Sequence, residues 1–239
     1  MKTIDYNELD IISYNHNSGS FAEIYKCIFN GEIYALKRFT NGKYLNGKRR
    51  KISELSSIND SHLITPKFWV KNEESKNQYL AKFCDGDPLE FEKNTNVVAK
   101  LKHAKNLIEK MHSYKIIHGD LNISNLLFSG DEPFIIDFDN VSLNNSNVDI
   151  SSLNDYSADY IKRLGINKGL DVYLFNLLTY AILNETDYYR VRSNVLAKKY
   201  GVFDFKDGIK LCNLFSLEKG YSDGDYLIDM ISNEDVKSI

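Results

Sequence analysis

Cysteine is scarce in this sequence, and a long apolar run is absent. The 239 residues include only three cysteines, whose odd number and wide spacing form no zinc-binding pattern. This usage predicts a reduced, cytoplasmic setting. The most apolar stretch, residues 172–183, is too short to span a bilayer. Residues 1–10 contain acidic side chains and no apolar run, so the sequence predicts no signal peptide.

A strong charge of either sign is also absent. The formal net charge is −3 at pH 7, so the composition predicts neither a nucleic-acid nor a membrane partner. Hydrophobic residues make up 43% and charged residues 26% of the chain, as in ordinary soluble globular proteins. The length suits one large domain or two small lobes with a real hydrophobic core.

The first 83 residues have the pattern of a small β-sheet with one helix. The Asn30-Gly31 pair between two apolar runs is a strong signal for a two-residue hairpin. Residues 49–58 place apolar side chains at helical spacing. The predicted strands cover residues 10–16, 23–29, 32–39, 66–71 and 78–83.

The rest of the chain is predicted to be mainly helical. Apolar residues fall on one stripe over 97–114, and 171–183 predicts a strongly apolar, central helix. The Asn- and Ser-rich stretch 140–158 has no period and predicts a mobile loop. Further helices, broken at glycines, are expected over 186–239. The chain is therefore predicted to be α+β, with an N-terminal lobe at 1–83, a hinge at 84–88 and a C-terminal lobe at 89–239.

The stretch 117–139 contains a dense set of polar residues. It begins as a tight loop that contains Asp120 and Asn125, and it continues as an apolar hairpin that ends at Asp137. An acid at the end of a buried strand needs a partner or a metal ion. Oxygen ligands suit Mg²⁺, which proteins usually hold through one or two groups together with substrate phosphates. The stretch therefore predicts a site for a hard cation.

Taken in order, the motifs of this chain resemble those of the protein kinase-like superfamily, and the resemblance covers nearly the whole sequence. That superfamily has a glycine-rich loop, an Ala-x-Lys on a strand, a Glu on a helix, a His-Arg-Asp catalytic loop, an Asp-Phe-Gly and an Asp that opens a central helix. The similar segments here are Asn17-Ser18-Gly19-Ser20-Phe21-Ala22, Ala35-Leu36-Lys37, Glu54, His118-Gly119-Asp120-Leu121 with Asn125, Asp137-Phe138-Asp139 and Asp171.

The resemblance implies a bilobal protein kinase-like fold, with an ATP cleft between the β-sheet lobe and the helical lobe. It implies an ATP- and Mg²⁺-dependent phosphotransferase in which Lys37 contacts the α- and β-phosphates and forms an ion pair with Glu54. Asp120 would orient the acceptor hydroxyl and take its proton. Asp137 would bind Mg²⁺, and Asn125 would bind a second ion.

The resemblance also implies the remaining contacts with ATP. The turn around Gly19 would cover the phosphates, two apolar side chains would sandwich the adenine, and the backbone of 82–84 would bind the adenine edge. The residues involved are Ser18, Gly19, Ser20, Phe21 and Ala22 at the phosphates, Ala35 and Leu127 at the adenine faces, and Lys82 and Cys84 at its edge.

Some of these residues have simpler interpretations. Glu54 could pair locally with Lys51, three residues before it, rather than with Lys37. Asp120 and Asn125 could merely cap a turn, as such residues often do. Asp139 stands where the kinase pattern has glycine, and it could be a further metal ligand, a cap or a solvated acid. We favour the last two interpretations of Asp139.

The acceptor of the phosphoryl group stays open. Gly119 stands where regulated kinases have an Arg that pairs with a phosphorylated activation loop, and Asn122 stands where Ser/Thr kinases have a Lys. The His-Gly-Asp-Leu loop with Asn125, and Asp139, resemble the atypical and small-molecule branches, such as aminoglycoside and choline kinases and the smallest archaeal-type protein kinases. The interval from Asp137 to Asp171 instead resembles ordinary protein kinases. We expect a Ser/Thr protein kinase that acts on an unidentified protein and is capable of autophosphorylation. The alternatives are a kinase of small-molecule alcohols and a nucleotide-binding pseudokinase scaffold.

Overall fold

The structure is a computed structural model. It describes residues 1–15, 22–41, 45, 47–72, 77–89, 96–144, 146, 155–185, 187–189, 191, 221–222 and 225–230. The chain divides into two units. The first is Met1–Asp85 with Ile135–Asp139, and the second is Gly86–Phe134 with Asn140–Ile239.

The first unit contains a six-stranded sheet. Its strands are β1 (Lys2–Asp5), β2 (Asp10–Asn15), β3 (Ala22–Phe29), β4 (Glu32–Phe39), β5 (Pro66–Lys71) and β6 (Gln78–Lys82). Across the sheet their order is β1-β5-β6-β4-β3-β2, and all neighbours are antiparallel except β1 and β5. The five predicted strands are confirmed, and β4 lies in the interior of the sheet.

The hairpin of β3 and β4 follows from its two turn residues. Asn30 and Gly31 have φ angles of 51° and 79°, and a two-residue type I′ turn requires positive φ at both positions. This turn sets the register of the hairpin, in which Lys37 of β4 lies opposite Ile24 of β3. The predicted hairpin is confirmed, and its turn determines which strand position Lys37 occupies.

Strand β1 lies outside the predicted strands. Lys2–Asp5 pairs in parallel with β5, and the side chain of Ile4 is 2% exposed in a core cluster with Val70 and Leu80. Four residues are too few to give a reliable alternating pattern by themselves. Pairing with a strand far along the chain makes this segment a strand.

Helix α1 (Arg49–Leu55) packs on β5. It buries Ile52 and Leu55 completely. The helix ends three residues before the predicted limit, because the hydroxyl of Ser56 donates to the Ser53 carbonyl and that of Ser57 donates to the Glu54 carbonyl, both at 2.7 Å. These bonds satisfy carbonyls that have no further partner within the helix.

The second unit is mainly helical. Its elements are β7 (Asp87–Pro88), α2 (Asn96–Ser113), β8 (Ile116–Ile117), β9 (Leu126–Ser129), β10 (Glu132–Ile135, of which Ile135 belongs to the first unit), β11 (Ser142–Leu143), α3 (Asp155–Leu164), α4 (Lys168–Leu183) and α5 (Leu227–Met230). Helix α4 is buried from Gly169 to Leu183, as expected of a helix that is apolar on all sides. It contacts α2, α3 and α5. The predicted helices at 97–114 and 171–183 are confirmed.

The prediction of a mobile loop over 140–158 is wrong at both ends of that stretch. Ser142 and Leu143 form β11, which pairs antiparallel with β8, and α3 begins at Asp155. Ser157, Tyr160 and Ile161 are buried, and their spacing is that of one helix face. The Asn- and Ser-rich residues before them obscured this period in the sequence.

Among the described residues, no helix combines the length and the apolar character that crossing a membrane requires. The further helices expected over 186–239 lie mostly outside the described residues. Within that range, the structure describes helix α5, which has four residues.

Candidate functional site

The ammonium group of Lys37 lies between two carboxylates. Its Nζ donates to Asp137 Oδ1 at 2.5 Å and to Asp139 Oδ1 at 2.7 Å, and the Lys37 side chain is 15% exposed. Lys37 lies opposite Ile24 of β3 and Tyr79 of β6, so strands on both sides fix its backbone. The fold thus joins a lysine and a carboxylate that are 100 residues apart in the sequence.

Both carboxylates belong to the segment that follows β10. Ile135 forms a parallel bridge with Leu63. Its N–H donates to the His62 carbonyl and its carbonyl accepts the Ile64 N–H, both at 2.9 Å. This bridge fastens the segment to the first unit. Asp137 follows with a φ of 68°, a conformation that costs a non-glycine residue about 1–3 kcal/mol. A 3-10 helix, Phe138–Asn140, comes next and buries Phe138 completely.

The three charges shift one another's protonation. Burial opposes the charge of Lys37, but Asp137 and Asp139 outweigh it and raise the pKa of Lys37 well above its usual range. Burial, and then the negative charge of Asp139, raise the pKa of Asp137 to about 8, and Lys37 offsets this only in part. One cation therefore faces two carboxylates, and a negative charge stays uncompensated when both are ionised.

Glu54 does not pair with Lys37, contrary to the prediction. The Glu54 side chain is 45% exposed, and its Oε1 accepts a hydrogen bond of 2.9 Å from Arg50 Nε. Arg50 precedes Glu54 by four residues and therefore lies on the same helix face. The simpler interpretation expected a local partner of this kind, although it named Lys51. Lys37 takes its carboxylates from the segment after β10 instead.

In the second unit, Asp171 anchors the loop that contains Asp120. The buried Asp171 carboxylate accepts the His118 N–H on Oδ2 and the Gly119 N–H on Oδ1, both at 2.8 Å, and His112 Nε2 lies 2.9 Å from Oδ2. A buried carboxylate is costly unless such partners compensate its charge. The central helix α4 therefore fixes the path of this loop.

Gly119 adopts a backbone conformation that accompanies the hydrogen bond of its N–H to Asp171. Its φ is 74°, a left-handed conformation that glycine adopts without steric cost. A Cβ at this position would meet Leu170 Cδ2 at 3.6 Å, which is an ordinary contact. Conformation rather than lack of space therefore accounts for the glycine, and the Arg of the kinase pattern would be strained here.

Two asparagine side chains hold the backbone at Asp120. The Asp120 carbonyl accepts a hydrogen bond from Asn125 Nδ2 at 2.9 Å and another from Asn122 Nδ2 at 3.0 Å. Asn125 Nδ2 is also 3.4 Å from Asp120 Oδ2, a weak contact at that length. Asn125 is 7% exposed and Asp120 is half-buried. The loop thus presents a carboxylate on a backbone that its own amide side chains hold in place.

The structure describes some of the residues that are predicted to contact the phosphates and the adenine of ATP. Ala22 begins β3, where it is 4% exposed and pairs with Phe39 of β4. Ala35 on β4 and Leu127 on β9 are both half-buried. The other residues of the predicted phosphate-covering turn lie outside the described residues: Ser18, Gly19, Ser20 and Phe21.

The backbone of residues 82–84 is less available to adenine than predicted. The Phe83 N–H donates to the Ile33 carbonyl at 3.2 Å, so the sheet already uses this donor. The side chain of Lys82 forms an exposed ion pair of 2.7 Å with Glu32. The thiol of Cys84 is half-buried. Of the three backbone N–H groups predicted to be available to the adenine edge, the sheet therefore already uses one.

Oxygen donors suited to a hard cation are present in each unit. In the first unit, the carboxyl group of Asp137 is 39% exposed. In the second unit, Asn125 uses its amide nitrogen for Asp120, and the amide oxygen is a neutral ligand of the kind that Mg²⁺ accepts. Within the described ranges, no cluster of three or more His, Cys, Asp or Glu side chains could hold a metal ion.

Asp139 is the residue of this site whose contact the sequence interpretation missed. Its interpretation as a solvated acid is wrong, because its side chain is 4% exposed and pairs with Lys37. A signal was present in the neighbouring residues Phe138 and Val141, both fully buried. An acid placed among such apolar residues is itself buried and needs a partner.

A comparison with family models agrees with these motifs. The model of the protein kinase domain matches residues 17–233, a range that includes Lys37, Asp120, Asp137 and Asp171. Among curated proteins, none matches the chain at a significant level.

Proposed function

Because the chain belongs to the protein kinase domain family, we propose that it is an active phosphotransferase that uses ATP and Mg²⁺. The proposed acceptor is a serine or threonine hydroxyl on a protein, the chain itself included. Phosphoryl transfer requires positioned substrates and neutralised phosphate charge, and little covalent chemistry from the protein. The side chains of the two units can meet these requirements.

The contact between Lys37 and Asp137 carries this proposal. Lysine is rarely buried without a partner, and Lys37 is held at 2.5 Å from a carboxylate that lies 100 residues away in the sequence. Asp137 also keeps a strained backbone with a φ of 68°, and such strain concentrates at functional sites. A lysine and a carboxylate placed in this way suit phosphate oxygens and the metal ion that accompanies them.

In the proposed reaction, the acceptor oxygen attacks the γ-phosphorus of ATP. A bond forms between these two atoms, the bond from the γ-phosphorus to the oxygen that bridges to the β-phosphate breaks, and ADP leaves with the electron pair. Asp120 accepts the proton of the hydroxyl. Lys37 stabilises the charge on the α- and β-phosphates.

Asp137 would hold one Mg²⁺, and Asn125 would hold a second ion. When bound, Mg²⁺ neutralises the charge of the phosphate oxygens. The chain contributes the preorganised part of the site. Asp171 holds the loop that contains Asp120, and neighbouring strands hold Lys37. Each group is thereby oriented within its own unit, which lowers the cost of positioning it.

A small-molecule alcohol is the alternative acceptor, and Gly119 is the observation that favours it. Its φ of 74° suits glycine and not the Arg that links activity to activation-loop phosphorylation in regulated protein kinases. A kinase without that Arg needs no such switch. Small-molecule kinases, which the His-Gly-Asp loop resembles, form the second candidate class.

Transfer of label from ATP tests these assignments. The full chain would be incubated with γ-labelled ATP and Mg²⁺, alone, with a protein substrate mixture and with candidate alcohols, beside the Asp120→Ala and Asp137→Ala variants. An exposed acid, Asp10 on β2, gives the matched control Asp10→Asn.

We expect label on protein with the wild-type chain and with Asp10→Asn, and none with Asp120→Ala or Asp137→Ala. Label on an alcohol alone would support the alternative acceptor. ATP binding without transfer to any acceptor would overturn both in favour of a pseudokinase.

A further inference from the structure

We propose that Asp139, and not a helical glutamate, is the residue that positions Lys37 for phosphate binding. This inference rests on the proposed function, because it assigns a positioning residue within the same site. It makes the orientation of Lys37 a property of the sheet and of the segment that follows β10. Helix α1 would then have no part in it.

The two carboxylates beside Lys37 differ in their surroundings. The Asp139 side chain is 4% exposed, whereas that of Asp137 is 39% exposed. Asp139 lies within a 3-10 helix, next to the fully buried Phe138 and close to the fully buried Val141. Packing therefore restricts Asp139, while Asp137 is open to a ligand.

Because its side chain is buried, Asp139 depends on its contact with Lys37. An ionised carboxylate that is almost fully buried requires an opposite charge within hydrogen-bond distance, and Lys37 Nζ provides it at 2.7 Å. The same contact compensates Lys37, whose side chain is 15% exposed. Removing Lys37 would leave the charge of Asp139 buried and uncompensated, whereas removing Asp139 would leave Lys37 with Asp137 alone.

The donors of the ammonium group allow the two carboxylates to have different functions. A lysine has three N–H donors, of which one goes to Asp137 and one to Asp139. If Asp137 turns its oxygens to a cation, Asp139 still holds Lys37, and two donors become available to phosphate oxygens. The exposed acid then serves the metal ion, and the buried acid serves the lysine.

Glu54 lacks the properties of a positioning residue. Its carboxylate is 45% exposed and bonded to Arg50. The helix that carries it has only seven residues and no side-chain hydrogen bond at its N-cap. By contrast, the segment with Asp139 is fastened to Leu63 through the backbone bridge of Ile135. The stronger attachment belongs to Asp139.

Steady-state kinetics on full-length variants provide the first test. We expect Asp139→Asn to lower kcat/KM for ATP by about ten-fold or more and to raise the Mg²⁺ concentration at half-maximal rate. The Mg²⁺ effect follows because Lys37 would then depend on Asp137 alone and compete with the cation for it. Asp139→Glu should recover part of the loss, and Glu54→Gln should stay within about two-fold of wild type.

Chemical labelling of Lys37 provides a second test that does not depend on activity. The acylation rate of Lys37 by an amine-reactive reagent would be followed by mass spectrometry in the nucleotide-free protein. We expect faster acylation of Lys37 in Asp139→Asn and an unchanged rate in Glu54→Gln. The exposed control Asp10→Asn should match wild type.

The outcomes separate this inference from the proposed function. Absence of phosphoryl transfer by the wild-type chain would refute the proposed function. The expected acylation pattern of Lys37 would still support the positioning of Lys37 by Asp139. Equal effects of Glu54→Gln and Asp139→Asn, in rate or in labelling, would overturn the inference. If Asp139→Asn does not fold, the activity of Glu54→Gln tests the inference, because Glu54 is exposed. Loss of activity in Glu54→Gln would refute the inference, and retained activity would support it.

Discussion

The Asp171 carboxylate accepts the backbone N–H of Gly119 at 2.8 Å and, on its other oxygen, that of His118 at the same distance. Helix α4 therefore determines the conformation of the loop that contains Asp120. Stability and catalytic geometry depend on the same buried group. Substitutions around it should reveal this coupling.

Asp171→Asn should lower the free energy of unfolding by about 2–4 kcal/mol. The amide group can accept hydrogen bonds on one atom only, and its N–H₂ would face donors that the second carboxylate oxygen now satisfies. Urea unfolding followed by circular dichroism measures this loss. Asp10→Asn, at an exposed site, should change stability by less than about 0.5 kcal/mol. An unchanged midpoint for Asp171→Asn would refute the anchor.

Gly119→Ala should cost about 1–2 kcal/mol of stability, because alanine is strained at a φ of 74°. Gly165 is a matched control: its φ is 75°, and a Cβ there would meet nothing within 4 Å. Gly165→Ala should therefore show a similar loss in urea unfolding. Turnover at a temperature where both variants are folded should fall only for Gly119→Ala. Equal turnover in the two variants would separate Gly119 from the function of the loop.

The raised pKa of Asp137 predicts a pH-dependent stability in the absence of metal. The folded chain keeps a proton on Asp137 up to about pH 8, whereas an unfolded aspartate releases it near pH 4. The stability contributed by this proton is complete below about pH 4 and is lost as the pH rises through about 8. Asp137→Asn lacks this loss, so its stability relative to wild type should increase over that window.

Urea unfolding in a chelator, at several pH values from about 4 to about 9, measures the difference between Asp137→Asn and wild type. The corresponding difference for Asp10→Asn should not change over the same range. A flat curve for Asp137→Asn would show that the Asp137 pKa is not raised in the folded chain.

The thiols of Cys27 and Cys84 should differ in reactivity. Cys27 is fully buried, and burial raises the pKa of its thiol to about 11, whereas Cys84 is half-buried. Because the thiolate is the reactive form, iodoacetamide at about pH 8 should modify Cys84 and leave Cys27 intact until the protein unfolds. Site-resolved mass spectrometry measures both rates, and rapid labelling of Cys27 in the folded protein would contradict its placement.

Local features of this fold could be predicted from the sequence. The Asn30-Gly31 turn, the strands beside it and helix α2 follow from patterns within one segment. Strand β1 could not be predicted in this way, because its partner β5 lies far along the chain. Helix α3 has a legible buried face, but the Asn- and Ser-rich residues before it obscured its start.

The site shows the same division between local and distant information. Motif order identified Lys37, Asp120 and Asp137 as candidates, and the fold places Lys37 with Asp137. Motif order could not identify Asp139 as a partner of Lys37, since 102 residues separate them. The family resemblance implies Glu54 as the partner of Lys37, and Arg50, four residues away on the same helix, pairs with its carboxylate instead.

The Mg²⁺-dependent rate of ADP formation, compared between the wild-type chain and Lys37→Ala, tests the proposed chemistry most directly. We predict measurable turnover by the wild type and a loss of about 10²–10³-fold in Lys37→Ala, which corresponds to roughly 2.7–4 kcal/mol for a preorganised group that stabilises developing charge. Equal turnover by the two proteins would contradict the assignment of Lys37 to the phosphates.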